Sequence, residues 1–195
     1  MSLRDEILQV SKDLLIKEGF SKISMRRIAG RANITATSIY LHFDSKDDLL
    51  LTLIEESIKT LKQALLDAVN KEYGLIDQLK MLAETYINYA LDHPQEYEII
   101  YMVRPEEMPK YPKDKFRDVR SAYELIASII SEREYNEYME VEDSLISAYT
   151  FWAQLHGVVS VILNRRLDTR IPQSIFIEQS IEHIIKGFII QKTTA

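Results

Sequence analysis

The sequence predicts an all-α protein of about nine helices. Three observations lead there. Apolar residues recur at helical spacing along nearly the whole chain of 195 residues. Only five Gly and five Pro interrupt it, too few for many-turned β-structure. A hydrophobic share of 46% is enough to bury a sizeable core. The pattern divides into an N-terminal three-helix head, residues 1–46, and a larger C-terminal helical domain, residues 47–195.

The head begins with Leu3, Ile7, Val10, Leu14 and Leu15, which form one apolar stripe on a helix from Leu3 to Glu18. Gly19 supplies its stop. Ser24 is the expected N-cap of a second helix, in which Met25, Ile28, Ala29 and Ala32 face one way. Asn33 follows, one of the few residue types that tolerates the left-handed backbone of a sharp turn. Thr35 then offers a capping hydroxyl to a third helix, whose apolar surface is built from Ile34, Ile39, Tyr40 and Phe43. Two stripes joined by so short a turn must pack on each other. That is a helix-turn-helix, whose second helix can lie in the major groove of DNA.

After the head, Ser45 and Asp48 stand at capping-box spacing. A long helix runs from there to about Asn70 on the stripe Leu49, Leu50, Leu53, Ile54, Ile58, Leu61, Leu65, Leu66 and Val69. Tyr73-Gly74 ends it, Leu75 to Leu91 repeats the pattern, and Asp92-His93-Pro94 breaks it. Pro94 opens a short helix to about Val103. Arg104 to Pro112 is a loop with three prolines, and a helix from about Lys113 to Arg133 follows. Glu132 to Glu140 is a polar connection. The last two helices, Val141 to Arg166 and Pro172 to Gln191, are the most apolar, with extra apolar residues such as Phe151, Val158, Ile175 and Ile190 off the main stripes. A helix apolar on more than one face is either central or shared with another chain.

Composition excludes several functions. Zero Cys rules out disulfides and thiolate chemistry. The start MSLRDEIL is too charged for a signal peptide, and no apolar run is read as approaching the roughly 18 residues that span a bilayer. A cytoplasmic protein with no membrane partner is expected. There is no HExxH and no Gly-rich phosphate loop, and the four His (His42, His93, His156, His183) are scattered. No enzyme activity, cofactor or metal is therefore expected. Carboxylate pairs such as Glu55-Glu56 and Glu106-Glu107 read as solvated faces.

The net charge of −6 is unevenly spread: residues 1–46 hold eight Lys or Arg against five Asp or Glu, so the acidic excess lies in the remainder. A basic head on an acidic body suits a polyanionic partner. Arg26 and Arg27 fall in the first turn of the second helix, where they oppose the helix dipole. A nearby polyanion would remove that penalty; two solvated arginines are the alternative.

The stretch from Ile7 to Leu50 resembles the N-terminal domain of TetR-type transcriptional repressors. The features that carry the resemblance are Gly19-Phe20, Ser24-Met25, Ile28-Ala29, Ile34-Thr35, Ser38-Ile39-Tyr40, His42-Phe43, Ser45-Lys46 and Leu49-Leu50, in the family's order and spacing. The resemblance implies an all-α homodimer with two DNA-binding heads, a C-terminal ligand pocket and dimerisation through the last two long helices. Asn33 and Thr37 stand where the family commonly has Gly, and Ala36 where a polar or basic residue is frequent. Thr35 to Leu41 holds no Arg, Lys, Asn or Gln, the residues that recognise G or A with paired hydrogen bonds. Base contacts are thus expected to be few: hydroxyls of Thr35, Thr37 and Ser38, methyls of Ala36 and Thr37 on thymine, and Arg26 or Arg27 on guanine. The resemblance assigns phosphate contacts to Tyr40, His42 and Lys46, with Ser24 and the amides at its helix start. For Tyr40 a place in the core is the alternative.

Tyr86, Tyr89, Tyr97, Tyr101, Phe116, Tyr123, Phe151 and Trp152 crowd the middle of the chain, with His156 one turn beyond Trp152. They form either plain core or the wall of an apolar cavity whose hydroxyls orient a small-molecule effector. The expected dimer face comprises Leu155, Val159, Leu163, Ile177, Ile181, Ile184 and Phe188. The function expected from all this is a ligand-responsive DNA-binding regulator, a repressor that binds a palindromic operator as a dimer and is released by a largely apolar molecule. An all-α ligand-binding or scaffolding protein without DNA activity is the alternative.

Overall fold

A computed structural model describes residues 2–19, 22–70, 72–102, 116–131 and 143–188, with only the backbone of residues 102 and 116–122. The expected loop at Arg104 to Pro112 and the connection at Glu132 to Glu140 lie outside the described residues, as do Phe20, Ile189 and Ile190. The described residues form nine helices: α1 (Leu3–Glu18), α2 (Met25–Arg31), α3 (Ala36–Tyr40), α4 (Lys46–Ala68), α5 (Leu75–Asp92), α6 (Pro94–Met102), α7 (Phe116–Ser131), α8 (Ser144–Leu163) and α9 (Gln173–Phe188). The protein is all-α, a helix-turn-helix head followed by a helical C-terminal domain.

Packing divides the chain into two compact units. One takes Met1–Thr60 with His93–Val119, the other Leu61–Asp92 with Arg120–Ala195. This boundary is one of packing and differs from the division after Lys46 expected from the sequence.

In the first unit, the local sequence ends and begins each helix. Ser2 and Asp5 cap α1 reciprocally: the Asp5 amide donates to Ser2 Oγ at 3.2 Å and the Ser2 amide to Asp5 Oδ2 at 2.9 Å. Gly19 stops the helix at φ 79°, a conformation that costs other residues a steric penalty. At α4, the Asp48 amide donates to Ser45 Oγ, while Asp48 Oδ2 accepts from the Asp44 amide. The reciprocal arm of this box thus reaches one residue further back than usual. Ile7, Ile28, Ile39, Leu49 and Leu50 are fully buried and form the core, each contributing about 1.5–3 kcal/mol through burial. Arg4 lies over the Phe43 ring at 5.4 Å and pairs with Glu56 at 3.2 Å.

The helix α6 joins this unit by packing on α1. An ion pair between Lys12 and Glu96, both partly buried, fixes the contact. Burial alone pushes the Glu96 carboxyl up, but hydrogen bonding from Lys12 and from backbone outweighs it and holds Glu96 below the ordinary carboxylate value.

In the second unit, α5 packs on both α8 and α9, which also pack on each other. Leu79, Leu82, Ala83 and Ile87 of α5 meet an interior built from Ala148, Phe151, Leu155 and Val159 of α8 and Ile181, Ile184 and Ile185 of α9. The Phe151 and Phe188 rings meet edge to face at 5.8 Å. α8 corrects the expectation that no apolar run approaches a bilayer span, since its 20 residues reach a mean hydropathy of 1.3. Contacts with both α5 and α9 demand apolar residues on two sides of the helix, and Leu145, Ile146 and Tyr149 at its start are exposed besides.

Candidate nucleic-acid interface

The interface is assembled by α2, the turn after it, and α3. Ser24 caps α2, its Oγ accepting from the Arg27 amide at 3.3 Å. The turn is made by Asn33 at φ 55°, in the left-handed region expected of it, and the Ile34 amide closes it by donating to the Ala29 carbonyl at 3.0 Å. Thr35 caps α3: its Oγ1 accepts from the Ser38 amide at 3.1 Å. The same oxygen lies 2.8 Å from Ser38 Oγ, so the two hydroxyls also bond to each other. Ile39 and Phe43, one turn apart, anchor the inner side of this short helix at 0% and 2% exposure.

The opposite side is open to solvent. Ser24, Arg26, Arg27, Thr35, Thr37, Tyr40 and His42 are exposed; Ala36, Ser38 and Lys46 are half-buried. None of the ten residues expected to meet DNA is sealed in the core, and Tyr40 at 54% exposure is not a core aromatic. The two arginines differ, however. Arg27 forms an ion pair with Glu18 at the end of α1, whereas Arg26 makes none among the described residues. Sequence reasoning missed Leu41. It is the most exposed large hydrophobic residue among those described, at 80%. The signal was present: Leu41 lies two residues from Ile39, which puts it on the far side of a helix. Arg31 is exposed as well and adds a cation near the turn.

The aromatic residues separate into groups. In the second unit the Trp152 indole N–H donates to the Tyr86 hydroxyl at 3.0 Å. The Trp152 ring lies 5.0 Å from Tyr123, edge on, and 5.1 Å from the His156 imidazole. Tyr149 stacks on Tyr123 at 4.5 Å; it was missed, although it precedes Trp152 by one turn of the same helix. Burial pushes the His156 imidazole below its ordinary value. Phe151 faces Phe188 instead, and Tyr89 is buried. Tyr97 and Tyr101 belong to the first unit, where they pair at 4.7 Å. The Phe116 side chain lies outside the described residues.

Two open grooves have other linings. One, of about 320 Å³, is walled by Leu8, Lys12, Leu53, Glu56 and Glu96, and the other, of about 420 Å³, by Lys80, Glu84, Ile177, Glu178 and Ile181. Of the residues expected at a dimer face, Leu155, Val159, Ile181 and Ile184 are buried within the chain itself, while Leu163, Ile177 and Phe188 are half-buried. The first four therefore pack α8 and α9 within the chain's own core.

Comparison with known proteins gives the same picture in both parts of the chain. The family profile "Bacterial regulatory proteins, tetR family" matches residues 7–53, and "Tetracyclin repressor-like, C-terminal domain" matches residues 79–188. Among solved structures, a protein of unknown function from Rhodococcus sp. RHA1 is similar with a TM-score of 0.78 and 22% identity, covering 97% of both chains. A TetR family transcription regulator from Marinobacter aquaeolei VT8 aligns with a TM-score of 0.76 and 16% identity over 96% of each chain. The fatty acid degradation regulator FadR from Bacillus halodurans aligns with a TM-score of 0.72 and 18% identity, over 93% of this chain and 94% of that one. At such identities the structural likeness speaks for the fold.

Proposed function

The chain belongs to the TetR family of bacterial regulatory proteins, and from that premise we propose that it represses transcription by holding a palindromic operator as a homodimer until a small apolar effector releases it. Membership makes it a DNA-binding transcriptional regulator and not an enzyme. The observation that carries the reading is the two-sidedness of α3: Ile39 and Phe43 seal one side, while Thr37 and Tyr40 stand open on the other. Arg26, Arg31 and Lys46 supply cations around it for phosphate, and His42 offers a ring N–H donor. Few donors on α3 reach bases, so phosphate contacts carry most of the affinity.

Two-fold pairing of subunits would set the reading helices about 34–36 Å apart, one turn of duplex, or a multiple of that. The half-buried Leu163, Ile177 and Phe188 are the dimer-face residues that remain partly open on the chain. In the second unit, Tyr86, Tyr123, Trp152 and His156 would meet an uncharged or weakly anionic apolar effector. Such a molecule shifts the head spacing only if it binds one spacing more tightly than another. The protein acts in the cytoplasm, where its DNA is.

A gel shift on the DNA flanking its own gene, repeated across salt concentrations, tests the reading. Retention of that DNA with a steep loss of affinity at higher salt is expected. Absence of retention at low salt would refute binding there, and sedimentation as a monomer at micromolar concentration would remove the dimer.

A further inference from the structure

Leu41 has no structural reason to be where it is. Its side chain is 80% exposed, more than any other large hydrophobic residue described. It closes α3 in helical conformation, at φ −74° and ψ −17°, so its direction follows from helix geometry. At 3.6 residues per turn, residues two apart lie about 200° apart around the axis, nearly opposite one another. Ile39 is fully buried. Leu41, two residues after it, and Thr37, two residues before it, therefore point directly away from the head core. They stand four residues apart and form a single outward ridge. The centre of the reading surface is thus a leucine and a threonine methyl, while the hydroxyls of Thr35 and Ser38 are engaged with each other beside it.

We propose that Leu41 is a specificity-determining residue which, with Thr37, recognises thymine C5-methyl groups in the major groove. This rests on the DNA-binding reading above and deepens it. A leucine offers no hydrogen bond, so it cannot sort bases by donors and acceptors. The feature of a major-groove edge it can sense is the thymine methyl. Its surroundings identify the occupant as duplex DNA and not an apolar protein: Tyr40 and His42 flank it, Arg26 is exposed on the same head, and residues 1–46 carry an excess of basic side chains. Covering Leu41 with a methyl removes apolar surface from water on both partners.

The test uses the whole protein and a duplex that it selects itself from a randomised pool. Each thymine of that duplex is replaced singly by deoxyuridine, which deletes the methyl and leaves every hydrogen-bonding group in place. Wild type should lose about three- to five-fold in affinity at one or two thymines in each half-site, the worth of one buried carbon. Leu41→Ala should bind the thymine duplex about ten-fold less tightly and no longer distinguish uracil at those positions. Leu41→Met, which keeps an apolar tip, should still distinguish them. A wild type that selects a duplex but ignores every deoxyuridine overturns this proposal alone. So does a Leu41→Ala protein that keeps the full discrimination. A wild type that selects no duplex at all overturns the DNA-binding reading and this proposal with it.

Discussion

The guanidinium of Arg27 is paired with the carboxylate of Glu18, tying the first turn of α2 to the last turn of α1. Arg26, its neighbour in sequence, is exposed on the same helix. Two residues that look interchangeable in the sequence therefore have different work. Arg26→Ala should weaken DNA binding more than Arg27→Ala, whereas Arg27→Ala should cost up to about 1 kcal/mol in stability. Glu18→Gln, which releases Arg27, should steepen the salt dependence of binding by up to about one unit. Anisotropy titrations across salt, with urea melts alongside, measure all three; the reverse order of the two arginines would contradict the assignment.

Lys46 opens α4, just past the turn that follows α3. Replacing it by Ala should weaken binding to every duplex by a similar factor and flatten the salt slope by about one unit, as loss of one phosphate contact does. An effect confined to a single operator base would show that Lys46 reads sequence instead.

The pair of Lys12 and Glu96 should make stability depend on pH. Glu96 is held below its ordinary value of 4.5 in the folded chain, so the folded state binds this proton less readily than the unfolded one. Its contribution is complete above about that value and is lost as the pH falls through the lower, folded one. Urea melts between neutral and acid pH should show this loss in the wild type and much less of it in Glu96→Gln. That variant should be less stable at pH 7 by about 1 kcal/mol, because the pair is only partly buried. Identical pH profiles for the two proteins would show that the pair contributes nothing.

His156 makes the second pH-dependent contribution, and Trp152 reports on it. Burial lowers the imidazole below its ordinary 6.5, so stability is complete above that value and declines as the pH falls through the folded one. The single tryptophan of the chain lies 5.1 Å away. Its emission should therefore change in one step with a midpoint below 6.5, and the step should vanish in His156→Gln. A midpoint at or above the ordinary value would mean that the ring is solvated or paired with an anion.

The parts of the fold that were legible in the sequence are those set by neighbours along the chain. Gly19, Ser24, Asn33 and Thr35 announce a helix stop, two caps and a left-handed turn within seventeen residues, and each adopts the geometry its type favours. Periodicity likewise marks which residues are buried. It is silent on what buries them. Leu155, Val159, Ile181 and Ile184 read as a surface shared with another subunit, yet α5, α8 and α9 enclose them within one. The aromatic residues show the same gap, since Tyr97 and Tyr101 share the composition of the Trp152 cluster but pack in the other unit. Nothing local could tell that Lys12 would find Glu96, 84 residues away, or that Glu18 would take Arg27 and leave Arg26.

The brevity of α3 limits how this regulator's preference can be borrowed. Isolated helices below about 12–15 residues are marginal in water, and this one has five, so its shape is held by the anchoring of Ile39 and Phe43. A synthetic peptide copied from the segment would be an unstructured strand with no taste for any sequence. Retargeting a related scaffold would instead mean exchanging individual outward side chains on a host that already folds, leaving its anchors untouched.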